Sequence, residues 1–187
     1  FLNTPQPENG LKDVEDAIEM LEKTDNLFEI MKAYNRKAML LVSLDRFSEA
    51  MQVFTRSVQL GKGNRSNEIV KTLAEAEYLI SSLMCLRGFT GLASALARRS
   101  MERYKRMNDG LGIARAGAVF ATTQYHRGNY EDTLRQCKYN LKVFQDVQNW
   151  RQVSTALIYA ASSEMSLGRP DESWDYIHQA IEISKNN

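Results

Sequence analysis

Proline is nearly missing from the part of this 187-residue chain that carries its apolar pattern. There are three prolines, Pro5, Pro7 and Pro170. From Leu11 to Ser184 only Pro170 interrupts, at a break between apolar segments, where a residue with fixed φ and no N–H does no harm. Cysteine is as scarce, with only Cys85 and Cys137, each inside an apolar stretch. That excludes a disulfide framework and fits free thiols in a reducing compartment. The two histidines, His126 and His178, are too few and too far apart for a Cys/His metal site. No apolar run approaches the roughly 18 residues needed to cross a bilayer. No charge of one sign dominates: 24 Lys and Arg face 23 Asp and Glu, a net charge of +1. The balance excludes a general nucleic-acid binder and a polybasic membrane protein. No segment alternates apolar and polar residues as a half-buried strand would.

What is present is repetition. Four short loops echo one another: Leu44-Asp45-Arg46-Phe47-Ser48-Glu49-Ala50, Leu86-Arg87-Gly88-Phe89-Thr90-Gly91-Leu92, Arg127-Gly128-Asn129-Tyr130-Glu131-Asp132-Thr133 and Leu167-Gly168-Arg169-Pro170-Asp171-Glu172-Ser173. Aligned on residues 50, 92, 133 and 173, they lie 42, 41 and 40 residues apart. A fixed period signals an array of helical hairpins, each too thin to bury its apolar face alone. Leu27, Ile30, Met31, Tyr34, Ala38 and Leu41 show the helical spacing directly.

The chain therefore divides into an extended leader over 1–10, a partial repeat over 11–26 and four repeats over about 27–64, 65–108, 109–149 and 150–187. The partial repeat is a second helix without its first, with Ala17 standing 33 residues before Ala50. The chain opens at Phe1 without a methionine and stops inside or just after a repeat, as expected of a fragment of a longer protein.

These residues resemble the tetratricopeptide repeat. Ala38, Ala121 and Ala161 take the small position of the first helix, and Gly128-Asn129-Tyr130 matches the turn. Ala50, Thr133 and Ser173 take the small position of the second helix; Leu92 does not fit, and Ala93 takes its role through a one-residue slip. Small residues let the paired helices approach closely. The resemblance implies an all-α, right-handed superhelix of stacked hairpins, an α-solenoid. The period exceeds the usual ~34 residues. The stretch Asp109-Gly110-Leu111-Gly112-Ile113-Ala114-Arg115-Ala116, within 107–150, resembles the long repeats of the Pins/LGN cell-polarity adaptors. That resemblance implies a cytoplasmic protein at the cell cortex or spindle. It implies as partner an extended, acidic segment of a coiled-coil or scaffold protein, and Gα through regions outside this chain. Rapsyn and bacterial peptide-sensing regulators share the long repeat, so the alternative is a peptide sensor governing an attached effector domain.

No catalytic constellation, metal site or cofactor motif stands out, and an enzyme is not expected. Glu131-Asp132 and Asp171-Glu172 fall at the starts of second helices, where carboxylates complement the helix dipole. By resemblance, first helices line the inner, concave face. That face would hold Asn35, Met39, Tyr78, Ser81, Arg115, Thr122, Tyr125 and Ser162 as a peptide-binding surface. Arg115 leads, because its planar fork suits a carboxylate. Asn35 is the nearest counterpart of the family's backbone-binding asparagine. A secondary basic patch comprises Arg98, Arg99, Arg103 and Arg106. Trp150 and Trp174 are expected to fill gaps between repeats. The fold expectation is checked by circular dichroism, which should show a predominantly helical spectrum with negligible sheet.

Overall fold

The computed structural model describes residues 7–186. Residues 1–6, the start of the expected leader, lie outside them. Among the described residues there are nine α-helices and no strand: α1 (Pro7–Leu21), α2 (Leu27–Ser43), α3 (Phe47–Gly61), α4 (Asn67–Leu86), α5 (Thr90–Arg106), α6 (Gly110–His126), α7 (Tyr130–Asp146), α8 (Trp150–Ser166) and α9 (Pro170–Asn186). The expected all-α helical-repeat fold is the one observed. α1 opens at Pro7, so residues 7–10 are helical where a leader was expected. Proline loses nothing at a first helical position, whose N–H has no intrahelical partner in any case.

The chain forms two compact units, Phe1–Ile80 and Ser81–Asn187. The division falls inside α4 rather than between repeats. In the first unit α2 packs against both α1 and α3. In the second, α5 to α9 pack as sequential neighbours, and α6 also touches α8, so first helices of adjacent repeats meet.

The turns explain the loop echo. Asp45, Gly88, Gly128 and Gly168 all have positive φ, and they lie 43, 40 and 40 residues apart. Each follows a first helix, and the next backbone N–H reaches back across the turn. Arg46 N bonds Leu41 O, Phe89 N bonds Met84 O, Asn129 N bonds Gln124 O and Arg169 N bonds Glu164 O, at 2.8–2.9 Å. This is the Schellman closure, which satisfies a terminal carbonyl and favours glycine at the left-handed residue. The links Asn108 and Gln148 close the same way with positive φ, Asp109 N bonding Tyr104 O and Asn149 N bonding Phe144 O. The first interval is three residues longer because five residues, 62–66, join α3 to α4 where three join α5 to α6 and α7 to α8, and because α3 and α4 together are one residue longer than α5 and α6.

The same register agrees with the one-residue slip expected in the second repeat. Ser81 Oγ donates to Ala93 O at 2.8 Å, Thr133 Oγ1 to Ala121 O at 3.3 Å and Ser173 Oγ to Ala161 O at 2.9 Å. Each pair is twelve residues apart, as are Ala38 and Ala50, both fully buried. Ala93, fully buried, is thus the small residue of α5, and Leu92 is exposed. The hydroxyl has moved from the second helix to the first in this repeat alone.

The cores are local to each hairpin stack. Met31, Ile69 and Leu73 form one in the first unit. In the second, Ala114, Leu141, Phe144, Val153, Ala156 and Leu157 form one, with Trp150 packed on it as expected. Trp174 departs from expectation: it is exposed and lies obliquely on His178, centroids 5.8 Å apart. Gly112 marks a close approach, since a Cβ there would fall 2.3 Å from the Tyr104 ring.

Bulk at a crossing must separate the helices. Ala121→Leu and Ala93→Leu should each destabilise by roughly 1–3 kcal/mol through overpacking. Leu92→Ala should stay within about 0.5 kcal/mol, as an exposed substitution does. Thermal or urea unfolding of the three variants checks both the crossings and the register of the second repeat.

Candidate functional site

The Asp109-to-Ala116 stretch shows how a binding-like motif is spent on folding. Asp109 caps α6, its side chain accepting from Gly112 N at 2.8 Å. Gly112 admits the Tyr104 ring, and Ala114 and Ala116 are fully buried. Arg115 alone faces solvent. In the crossing register, set by Ala38, Ser81, Ala121 and Ala161, its counterparts are Lys32, Glu75 and Thr155.

The other expected inner-face residues divide by burial. Met39 is exposed, while Tyr78, Thr122, Tyr125 and Ser162 are half-buried. Ser81 is fully buried and bonded to Ala93 O, so it is a crossing residue and not part of a peptide-binding surface. Asn35 is 3% exposed, with Nδ2 donating to Thr72 O at 3.3 Å, so its amide first serves the α2–α4 contact. Its Oδ1 is buried and has no hydrogen-bond partner among the described residues. The Tyr125 ring packs edge-on against Tyr159, centroids 5.5 Å apart, and near Tyr130 at 5.6 Å. It joins α6 to α8 and presents less of itself to a ligand than expected. Thr122 Oγ1 donates to its own helix at Ala118 O, 3.1 Å away.

The first unit carries a groove on a first-helix face. It has a volume of about 500 Å³ and runs over α1, α2 and α4. Val14, Ala17, Leu21, Ala33, Met39 and Leu79 give it apolar walls; Glu29, Lys32, Asn35, Arg36 and Glu75 give it polar ones. Ala17, expected to correspond to Ala50, is exposed; the residue that stands 17 before the next first helix, as Ala50 stands before α4, is Gly10. Lys32 is paired with Glu29 at 3.2 Å. Arg36 and Glu75 make no ion pair among the described residues. Of these lining residues Asn35 and Met39 were expected on the inner face, whereas Lys32, Arg36 and Glu75 were not. The signal was there: Lys32 and Glu75 stand in register with Arg115, once the crossing is placed correctly.

On the other side of α1, Tyr34 bonds Glu22 through its hydroxyl, and Arg56 bonds Glu22 at 2.8 Å while lying over the Tyr34 ring. Burial and that carboxylate push the Tyr34 phenol up to about 12. The cluster ties α1, α2 and α3 together.

Of the expected basic patch, Arg98 and Arg99 border a groove on α5. Of the carboxylates at helix starts, Glu131 pairs with Arg169 at 2.6 Å and Asp132 with Arg135 at 2.8 Å. His126 is exposed beside Tyr125.

Comparisons agree with this architecture. Residues 32–60 match the tetratricopeptide repeat model, from the groove residue Lys32 to the end of α3. The chain folds as a tetratricopeptide-type array. The structure is similar to BtubC (BKLC) from P. vanneervenii, with a TM-score of 0.84, 11% identity, and coverage of 97% of this chain and 76% of that one. It is also similar to a putative kinesin light chain with nearly identical TPR-like repeats from Podosopora anserina, with a TM-score of 0.73, 10% identity, and coverage of 97% and 88%. Aspartyl phosphate phosphatase F from Bacillus subtilis gives a TM-score of 0.77 at 12% identity, covering 94% of this chain but 45% of that one. At these identities the likeness is one of fold. No curated protein matches the chain by sequence.

Both thiols are free, and burial acts on both. It pushes Cys137 up to about 12 and raises Cys85 as well. Only the thiolate is nucleophilic, so both are protonated and slow at neutral pH. At pH 8, iodoacetamide should modify the half-buried Cys85 slowly and Cys137 only after unfolding. Peptide mapping of labelled protein, with and without denaturant, checks the order.

Proposed function

We propose that this chain is a non-enzymatic protein-binding module that holds an extended segment of a partner on its first-helix faces. The observation that carries the reading is the groove over α1, α2 and α4. An apolar trough accepts one or two anchoring side chains. Arg36 and Glu75 offer opposite charges to the segment's flanks, and Asn35 Oδ1 is a buried acceptor in need of an N–H. An unsatisfied buried oxygen costs free energy that a ligand's backbone donor recovers. In the second unit, Arg115 is the matching cation for an acidic residue, as its register with Lys32 suggests.

The finer reading rests on the resemblance of residues 107–150 to the Pins/LGN adaptors. It makes the partner a coiled-coil or scaffold protein at the cell cortex or spindle, with Gα engaged by regions outside this chain. A second reading draws support from the fold shared with an aspartyl phosphate phosphatase: the repeats would sense a peptide and govern an attached effector domain. A Gα-binding motif in the full-length protein favours the first, and an effector domain joined to the repeats favours the second.

The groove is tested by site-specific cross-linking. A photoreactive residue at Met39 should capture partner protein from extracts, whereas one at the exposed Met20, outside the groove, should not. Arg36→Glu should weaken binding of the captured segment at least tenfold while the melting temperature hardly moves, as expected when a contacting charge is reversed on a solvent-facing side chain. Equal capture from both positions, or unchanged affinity of the variant, rules out this groove.

A further inference from the structure

We propose that the tip of the α4–α5 hairpin docks a short segment of a partner protein that carries large apolar side chains interspersed with carboxylates. The tip lies within the second unit and shares no residue with the groove over α1, α2 and α4. Leu86, Phe89 and Leu92 are 77%, 59% and 54% exposed, three large apolar side chains within seven residues. A single exposed leucine is ordinary on a protein surface, whereas several gathered at one place mark a contact.

The other tips show that the turn itself does not require them. Aligned on the positive-φ residue, Leu86 corresponds to Ser43, His126 and Ser166. Phe89 corresponds to Arg46, Asn129 and Arg169, and Leu92 to Glu49, Asp132 and Glu172. Every counterpart is polar, and most are spent on their own turn. Ser43 and Ser166 donate to carbonyls of their own helices at 2.7 and 2.8 Å. Asn129 bonds Gln124, and Arg169 bonds Glu164. Arg46 forks onto Glu49 at 2.7 and 2.6 Å, so the two positions held here by Phe89 and Leu92 lie side by side in such a tip. A Schellman closure commonly packs an apolar residue after the glycine onto the end of the preceding helix. That accounts for the buried part of Phe89 and leaves more than half of it without a role in the fold.

The surroundings select the partner's charge. The other second helices of complete hairpins carry carboxylates in the first turn: Glu49 in α3, Glu131 and Asp132 in α7, Asp171 and Glu172 in α9. α5 has none there, so the positive end of its dipole is uncompensated. Gly91, between Phe89 and Leu92, opens a trough of about 510 Å³ along α5, bordered by Arg98 and by Arg127 of the next turn, with Glu102 farther along. Neither Arg98 nor Arg127 has an ion pair among the described residues. Arg98 lies over the Phe120 ring, 5.4 Å from its centroid, which leaves its in-plane N–H groups for a carboxylate. A Cβ at Gly91 would meet nothing within 4 Å, so a partner backbone can pass there. The tip thus offers apolar anchors beside a surface of positive sign, and an acidic, apolar segment matches both. A second copy of this chain matches less well, because a two-fold contact would set this tip against another of the same charge. A bilayer matches less well too: the neighbouring turns present Glu131, Asp132 and Asp171, which an anionic surface repels.

The test uses the full chain and three degenerate peptide pools on an affinity support. The first alternates Asp or Glu with Leu, Phe or Trp. In the second, Lys or Arg replaces the acids; in the third, Ser or Gln replaces the apolar residues. At physiological salt the first pool should be retained at least tenfold more than either other. Phe89→Arg combined with Leu92→Glu rebuilds the pair carried by the first tip, so the melting temperature should hold or rise while retention falls at least tenfold. Leu86→Ser alone should cut retention several-fold. Arg98→Ala combined with Arg127→Ala should do the same and flatten the salt dependence. Arg36→Glu should leave retention unchanged, so this tip and the groove over α1, α2 and α4 are judged separately. Equal retention of the pools, retention of none, or insensitivity to the tip variants or to the arginine pair overturns the proposal. So does a monomer–dimer equilibrium in sedimentation that the tip variants abolish while no pool is retained, which would make the tip an interface between copies. Binding to phosphatidylserine vesicles without retention of the first pool overturns it as well, as a lipid contact.

Discussion

Everything in this structure depends on how closely the two helices of a hairpin approach. The approach is set at two positions twelve residues apart, where only Ala, Ser or Thr occurs: Ala38 with Ala50, Ser81 with Ala93, Ala121 with Thr133, Ala161 with Ser173. In three of the four a side-chain hydroxyl donates to the facing carbonyl, so the crossing is pinned as well as close. A buried hydroxyl without that partner would cost more than the alanine it replaces. Serine and threonine are therefore admissible only where the neighbouring backbone is within reach, and the crossing provides that reach on either helix. The exchange of hydroxyl and methyl between Ser81 and Ala93 follows from this symmetry.

The crossings decide what each helix can offer to a partner. Once the small residues face inward, the position six residues before each crossing carries Lys32, Glu75, Arg115 or Thr155. A charge at that point alternates along the chain instead of repeating. The groove over α1, α2 and α4 is accordingly mixed in charge, whereas the trough on α5 is cationic. Two surfaces of different chemistry sit on one chain because first and second helices are patterned independently outside the crossings.

Much of the fold was legible in the residues themselves. Glycine after a first helix, the near-absence of proline and the 3–4 spacing of apolar residues locate nearly every helix, since each reports a local backbone requirement. The slip at Leu92 was readable for the same reason: alanine fits a crossing and leucine does not. The start of α1 was not, because proline at residue 7 is equally at home in an extended segment and at a first helical position. The candidate site was less legible. Ser81 and Tyr125 were drawn to the inner face by alignment, yet one pins a crossing and the other packs against the next first helix. A hydroxyl or a ring has the same identity in either place, and only the neighbours decide its role.

By itself the sequence determined the number of hairpins, their turns and the small residues at their crossings. These depend on contacts within about twelve residues, or on the intrinsic conformational limits of glycine and proline. The tertiary structure decided which side chains are free. Arg36, Glu75, Arg98 and Arg127 make no ion pair among the described residues, whereas Arg169 reaches Glu131, 38 residues away. Asn35 keeps one half of its amide unsatisfied because Thr72, 37 residues on, takes the other. Partners so distant in the chain are chosen by the stacking of helices, and no local pattern records them.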